Sequence, residues 1–194
     1  MVNYSTELIL RIGYIGIFIL MTLESALIPI PSEVVMTFSG FLVWRGQLNL
    51  VLVILAGTLG NLLGAFILYK IGSGPGLSFV EKYGKYFLIS EKEIERARNL
   101  FIRYGNMIVF SGRMMPAVRT VVSLPAGIAK MKILPFLLLT LVGSIPWNAI
   151  LTYLGYLLGE NWVIVENYAR TIDYAAIIII ILLIAGYFIY IKRE

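Results

Sequence analysis

The sequence predicts an all-α integral membrane protein: an inverted repeat with two opposed re-entrant hairpins, about three spanning helices and an amphipathic cytoplasmic helix. Three observations predict this fold class. Of the 194 residues, 59% are hydrophobic and 14% are charged, and the mean hydropathy is +0.88, values that exclude an ordinary soluble domain. Two apolar stretches carry prolines and ionisable residues near their middle. A single offset of 87 positions relates the two halves of the chain.

Two stretches are long and apolar enough to cross the bilayer as helices, residues 48–69 and the C-terminal residues 174–191. A third, residues 134–158, is similar apart from Pro146. No long Ser/Gly-rich or Pro-rich linker divides the chain, so we expect one membrane domain over residues 1–194. The apolar N-terminal stretch lacks the cleavage site of a signal peptide, and we expect it to stay in the mature protein.

Two other apolar stretches, residues 12–44 and 105–129, do not fit straight spanning helices. Proline removes a backbone donor and clashes with the preceding turn, so a helix breaks near it. Non-helical backbone is tolerated at membrane depth only where protein or a wet cavity shields it. We therefore expect two re-entrant hairpins whose tips meet inside the protein, broken by Pro29, Pro31, Pro116 and Pro125.

An internal repeat supports the hairpins. The offset of 87 positions superposes identical residues: Pro29 on Pro116, Gly40 on Gly127, Asn61 on Asn148, Tyr69 on Tyr156 and Gly72 on Gly159. We assign residues 14–72 to the first repeat and residues 101–159 to the second; chance matching in an apolar sequence is the alternative. If each hairpin enters and leaves on one side, each repeat crosses the membrane once and the second copy is inverted. Inverted repeats with broken helices are a transporter architecture.

The polar connector between the repeats, residues 73–100, orients the protein. Ser90 and Glu93 have the spacing of a capping box and predict an amphipathic helix, although a solvated connector without a chemical role is the simpler interpretation. The connector and the C-terminal tail are rich in Lys and Arg, whereas the loop at 160–173 is acidic. Lys130 and Lys132 add a further basic segment, and the positive-inside rule therefore places the connector, residues 130–132 and the C-terminus in the cytoplasm.

Composition also limits the chemistry. The chain has no cysteine and no histidine, which excludes disulfides, thiolate or imidazole metal sites and a Ser-His-Asp triad. We expect no metal, no cofactor and a transporter rather than an enzyme, with a lipid phosphatase as the disfavoured alternative. The net charge of +5 suits anionic lipid headgroups rather than nucleic acid.

Four ionisable residues within the broken stretches are the candidate site: Glu24, Glu33, Arg113 and Arg119. Charges at membrane depth cost at least a few kcal/mol each, which marks them as functional. Two guanidinium groups on one cavity match a phosphate monoester, and the glutamates would exchange protons when phosphate enters. The structural alternative is that a glutamate simply pairs with an arginine to hold the hairpins together.

Other polar and aromatic residues have more modest interpretations. Asn61 and Asn148 lie inside apolar helices, and they either line a cavity or form an interhelical hydrogen bond. We interpret the three tryptophans as anchors at the membrane interface: Trp44, Trp147 and Trp162.

The run Glu24-Ser-Ala-Leu-Ile-Pro-Ile-Pro-Ser-Glu33, the run from Gly112 to Arg119 (GRMMPAVR) and the run from Gly127 (GIAKM) resemble the DedA family. The resemblance extends over almost the whole chain. It implies a bacterial or archaeal plasma-membrane protein, related to eukaryotic SNARE-associated lipid scramblases, with two opposed re-entrant hairpins. Some members have Asp where this chain has Glu33, at a longer spacing from the first carboxylate.

The resemblance also implies a function in moving lipids, with undecaprenyl phosphate and phosphatidylethanolamine as substrates of different members. It assigns a proton-linked role to Glu24 and Glu33 and an essential basic role to Arg113 and Arg119. Our hypothesis is a flippase that returns a polyprenyl phosphate to the inner leaflet, with the lipid and protons as partners. The alternatives are a phosphatidylethanolamine flippase or general scramblase, and a proton-coupled antiporter of cations or osmolytes. Monomer and homodimer both stay open.

Overall fold

The computed structural model describes residues 2–76, 91–115 and 118–161. The regular elements of this part of the chain are all helices, without a strand, which confirms that the fold is all-α. The predicted helix at 174–191, Trp162, Pro116 and residues 77–90 of the connector lie outside the described residues. The seven helices are α1 (Val2–Ile12), α2 (Tyr14–Ser25), α3 (Ser32–Trp44), α4 (Leu50–Ile71), α5 (Glu91–Met114), α6 (Ser123–Ile128) and α7 (Ile133–Leu158).

Two of the described helices, α4 and α7, are long and apolar enough to cross a membrane. They confirm the predicted spans at residues 48–69 and 134–158 as helices. The side chain of Asn49 caps α4 by accepting hydrogen bonds from the two backbone N–H groups of Val51 and Leu52. Pro146 lies inside α7 without ending it, because membrane helices tolerate proline where neighbouring groups satisfy the freed backbone.

The first proline-broken stretch forms two short helices joined by a turn. At the end of α2, the Ile28 N–H donates to the Leu23 carbonyl at 3.0 Å, and Leu27 adopts a left-handed conformation with φ of 69°, a Schellman closure. Pro31 takes the N-cap position of α3, and Pro29 lies in the turn. With 12 and 13 residues, α2 and α3 are each only about 20 Å long, too short to cross a bilayer.

The second broken stretch differs from the first. Helix α5 runs from the connector through Met114 without interruption, so the predicted boundary at residue 100 is not a helix end. The chain then turns before the six-residue α6. Pro125 lies in the first turn of α6, where a backbone N–H has no partner within the helix. The helix begins at Ser123 and accommodates Pro125 in its first turn, so the chain does not break at Pro125 as expected.

The helices enclose a polar layer between two apolar clusters. One cluster packs α1, α2 and α3 against the N-terminal half of α4 and the C-terminal half of α7. The other packs α5 and α6 against the remaining half of each long helix. Asn61 and Asn148 lie between the two clusters, and both are buried. The long helices thus form a scaffold that holds polar groups at its centre.

Glycines allow the short helices to cross the long ones at backbone contact. A Cβ atom added to Gly40 in α3 would lie 2.0 Å from the Thr152 carbonyl oxygen of α7. A Cβ atom added to Gly127 in α6 would lie 2.2 Å from the Tyr69 carbonyl oxygen of α4. No side chain fits at either crossing, so glycine is required at both.

We expect Gly40→Ala to lower the free energy of unfolding by about 1–3 kcal/mol, because the new methyl group must displace the backbone of α7. Gly74→Ala is the matched control, since a Cβ atom there meets nothing within 4 Å. Thermal unfolding of both purified variants in detergent checks the prediction. Equal melting temperatures for the two variants would contradict it.

Candidate functional site

A buried ion pair joins the two proline-broken stretches. Glu24, in the last turn of α2, is 6% exposed, and Arg119, in the turn before α6, is 5% exposed. The Arg119 Nη2 atom donates to Glu24 Oε1. The structural interpretation of the charged residues therefore holds for this pair, which ties together segments that are 95 positions apart in sequence.

The second carboxylate oxygen of Glu24 is held by neutral donors. Glu24 Oε2 accepts hydrogen bonds from Ser25 Oγ and from Asn61 Nδ2, both at 3.2 Å. Asn148 Nδ2 in turn donates to Asn61 Oδ1 at 2.9 Å. The two asparagines thus form an interhelical hydrogen bond between α4 and α7, and this bond orients the amide that contacts the carboxylate.

Arg113 is the most enclosed charge of the site, with 2% of its surface exposed. Its Nη1 atom donates to the Arg119 carbonyl oxygen at 2.5 Å, and its Nη2 atom donates to Ser123 Oγ at 2.6 Å. Both acceptors are neutral. The ion pairs found in the described segments are Glu24 with Arg119 and Glu7 with Arg11, so within these segments Arg113 has no carboxylate partner.

Glu33 lies outside the buried pair. Its side chain is exposed, and its Oε2 atom accepts a hydrogen bond from Ser32 Oγ at 3.2 Å. The same hydroxyl oxygen accepts a hydrogen bond from Arg119. The buried site therefore contains two guanidinium groups and one carboxylate, and a single serine hydroxyl connects it to the second carboxylate.

Aromatic side chains of α7 lie against both arginines. The guanidinium carbon of Arg119 is 5.4 Å from the ring centroid of Trp147, and that of Arg113 is 5.9 Å from the ring centroid of Phe136, distances that favour cation–π attraction. The structure therefore places Trp147 in the site rather than at an interface. In the sequence, the neighbouring residue Asn148 indicated that α7 carries a polar group among apolar residues. It did not indicate the role of the Trp147 ring.

One face of α7 presents unused hydrogen-bonding groups to the arginines. Thr140, Gly143 and Trp147 recur at helical spacing, and a Cβ atom added to Gly143 would lie 2.8 Å from the Arg113 Cβ atom. In the described part of the chain, four buried side-chain atoms lack a partner: Arg113 Nε, Thr140 Oγ1, Trp147 Nε1 and Asn148 Oδ1. Buried polar groups are normally hydrogen-bonded, so this region has the capacity to bind a polar ligand.

Three serines complete the site, and the sequence did not single them out: Ser25, Ser32 and Ser123. The repeat could have indicated one of them. Ser32 and its contact Arg119 are 87 positions apart, which is the offset of the repeat. Of the four charged residues predicted from the sequence, Glu24, Arg113 and Arg119 lie together in the buried site. Asn61 and Asn148 are connected to them by hydrogen bonds.

The fold and the site define a class, an α-helical membrane protein with an excess of positive charge in a buried polar layer. A family model described as the VTT domain matches residues 30–157. The chain belongs to this family, the DedA family, as its motifs predicted.

Several relatives align with most of the chain. It is 40% identical over 183 residues, or 94% of this chain and 90% of the relative, to "Undecaprenyl phosphate transporter A" of Bacillus subtilis. A Staphylococcus aureus protein of the same name is 32% identical over 93% of this chain and 90% of the relative. A Lactococcus lactis protein named "Alkaline phosphatase-like protein" is 36% identical over 95% of this chain and 89% of the relative. No solved structure matches the chain.

We expect Glu24→Gln and Arg119→Gln each to destabilise the protein by about 3 kcal/mol, because each leaves a buried charge without its partner. The double variant should lose less stability than the sum of the losses in the two single variants. The matched control is the exposed pair of Glu7 and Arg11, with side chains 57% and 74% exposed, for which Gln substitutions should cost below about 1 kcal/mol. Thermal unfolding of the full double-mutant cycle measures the coupling; strictly additive losses at Glu24 and Arg119 would refute it.

Proposed function

We propose that the protein is a lipid-phosphate translocase that returns a polyprenyl phosphate, such as undecaprenyl phosphate, from the outer to the inner leaflet of the plasma membrane. The observation that carries the proposal is Arg113, a buried guanidinium whose hydrogen bonds go only to neutral acceptors. A buried cation is costly unless an anion compensates it. A phosphate headgroup that arrives with the substrate supplies that anion, and the names of the relatives support the same substrate class.

The charge of the site favours a phosphate monoester over a zwitterionic headgroup. A monoester carries about −1.5 to −2 at neutral pH, which two guanidinium groups neutralise once Glu24 has left Arg119. Phosphatidylethanolamine carries an ammonium group as well, and it would leave one of the arginines uncompensated. Guanidinium groups bind phosphate oxygens in a bidentate manner, and the Thr140 hydroxyl and the Trp147 indole N–H add donors on α7.

Competition between the substrate and Glu24 couples transport to protons. The incoming phosphate and the Glu24 carboxylate both require Arg119, so binding of the phosphate releases the carboxylate. A buried carboxylate without a counter-ion takes up a proton rather than remain charged. Glu33 is exposed and linked to Arg119 through Ser32, which makes it the group that passes protons between the site and its surroundings.

The contacts between the two halves support an inverted repeat over residues 14–72 and 101–159. Residues close to a two-fold axis contact their own equivalents, and Asn61 bonds to Asn148 across the offset of 87 positions. Ser32 and Arg119 form a second contact at this offset.

The packing of the short helices supports the same symmetry. Helix α3 crosses α7 as α6 crosses α4, with a glycine at each crossing. Helices α2 and α3 are too short to span, which supports re-entrant hairpins that end near the midplane. In the topology that we propose, the protein is multi-pass, with its C-terminus in the cytoplasm.

We expect Arg113→Gln and Arg119→Gln each to reduce transport of labelled undecaprenyl phosphate in proteoliposomes by at least tenfold, because each removes a phosphate-binding cation. Arg45→Gln is the control, since Arg45 is exposed at the end of α3. A single peak in gel filtration and a thermal unfolding transition above the assay temperature exclude misfolding as the cause, even where the melting temperature falls. Wild-type rates in both site variants would refute the proposal. Equal movement of phosphatidylethanolamine would indicate a general scramblase, and ion flux without the lipid would indicate an antiporter.

We expect Glu24→Gln to make transport insensitive to an imposed pH gradient, because glutamine keeps the shape of the side chain but cannot exchange a proton. Wild-type protein and the exposed variant Glu7→Gln should both respond to the gradient. The measurement is the initial rate of lipid movement in proteoliposomes with equal and with unequal pH on the two sides. A Glu24→Gln variant that responds like wild type would remove Glu24 from the coupling.

A further inference from the structure

A basic groove lies away from the buried site, between α5 and the loop that joins α6 to α7. Its volume is about 640 Å³. Among the described residues that line it are three cations and no carboxylate: Arg103, Lys130 and Lys132. All three side chains are exposed, so the groove presents concentrated positive charge at the surface.

Lys130 has a left-handed backbone conformation that non-glycine residues rarely adopt. Lys130 has φ of 53° and closes α6 in a Schellman motif, in which the Met131 N–H donates to the Ala126 carbonyl at 3.1 Å. Glycine is the usual residue at this position, and Gly46 takes it at the end of α3 with φ of 72°. Strained non-glycine residues cluster at functional sites, and the other one in the described segments, Leu27, lies three residues after Glu24.

The two lysines flank a residue that is fixed to the rest of the protein. The Tyr69 hydroxyl of α4 donates to the Met131 carbonyl oxygen, and the Met131 side chain packs in the apolar cluster of α5 and α6. The loop backbone that carries Lys130 and Lys132 is therefore fixed to α4 and to the apolar cluster.

Hydrocarbon-like surface borders the cations. Met107 and Ile102, which also line the groove, are 73% and 71% exposed, the highest values among the large apolar side chains in the described segments. Positive charge beside exposed apolar side chains matches an amphiphile with an anionic head and a hydrocarbon tail. It does not match free phosphate, which has no use for the apolar part.

We propose that this groove is a second lipid site, which binds the anionic phosphate headgroup of a membrane lipid at the cytoplasmic surface. Arg103 lies ten residues before Arg113 on α5, about 15 Å along the helix axis. Helix α6 also links the two sites, because Ser123, which binds Arg113, begins it and Lys130 closes it. Resting on the proposed function, the occupant is the transported lipid, which the groove receives from the arginines after the crossing.

The test measures lipid binding separately from transport. Protein in phosphatidylcholine nanodiscs is titrated with labelled phosphatidic acid, a phosphate-monoester lipid. In the Arg113→Gln background, which removes the buried phosphate site, combining Arg103→Gln, Lys130→Gln and Lys132→Gln should weaken binding at least about tenfold, because each cation near a membrane surface contributes about fivefold. Lys70→Gln, at the exposed end of α4, should bind like wild type. Unchanged binding in the triple variant, or displacement of the lipid by millimolar inorganic phosphate, would overturn the proposal.

Lys130→Gly separates a lipid-binding role from a structural one. The substitution relieves the backbone strain and removes the cation, so the melting temperature should rise while the affinity for phosphatidic acid falls. A rise in melting temperature without a loss of affinity would show that Lys130 serves only the loop and would overturn its role in the site.

Transport distinguishes failure of this inference from failure of the proposed function. The triple variant should transport undecaprenyl phosphate several-fold more slowly than wild type, whereas Arg113→Gln should abolish transport. If wild type transports the lipid and the triple variant binds and transports like wild type, the lipid site in the groove is refuted and the translocase function is retained. If wild type binds phosphatidic acid through the groove but transports no lipid, the translocase function is refuted and the lipid site in the groove is retained.

Discussion

One carboxylate compensates two buried arginines, and this imbalance of charge shapes the centre of the protein. Glu24 forms its ion pair with Arg119, whereas Arg113 donates to the Arg119 carbonyl and the Ser123 hydroxyl. Neutral acceptors satisfy hydrogen bonds but not charge, and the net positive charge is retained in a medium of low dielectric. A second carboxylate in contact with Arg113 would stabilise the empty protein and remove its attraction for an anion. The residues around the pair therefore keep the site ready for binding at some cost in stability.

The scaffold makes this arrangement sustainable. Helices α3 and α6 each cross a long helix from the other half of the chain, at glycines that bring the two backbones into contact, whereas α2 crosses α4 within its own half. Such contacts leave little freedom for the turns that carry the charged residues. The asparagine pair at the centre fixes the spacing of α4 and α7, and one of these amides also holds Glu24. Packing and polar contacts consequently restrain the same pair of helices, and movement of one half requires rearrangement of the other.

Much of this organisation could be predicted from local sequence properties, and the remainder depends on contacts between distant segments. The helical class and the spans of α4 and α7 follow from runs of apolar residues, and the break before α3 follows from Pro29 and Pro31. The sequence does not show which glutamate faces inward, because Glu24 and Glu33 lie in similar surroundings, and only the turn between α2 and α3 separates their environments. The helix break predicted at Pro125 is not found there, because proline is tolerated in the first turn of a helix and breaks only the interior of one. Tryptophan is a residue type that commonly anchors helices at the membrane interface. Only the position of Arg119, over the ring of Trp147, gives this tryptophan another role.

Two separate cationic sites suit a headgroup that must cross an apolar barrier more than one deep site would. A single site that binds phosphate strongly enough to remove it from water would also release it slowly. In our proposal, the groove at Arg103, about 15 Å from Arg113 along α5, open at the surface and lined by cations, offers the phosphate a second set of counter-ions as it leaves Arg113. In the proposed cycle, reformation of the pair between Glu24 and Arg119 displaces the phosphate from the deep site, and the carboxylate gives up its proton as it regains its partner. The ion pair of the empty protein is thus the proposed cause of release, a role that requires Glu24 to contact only one of the two arginines.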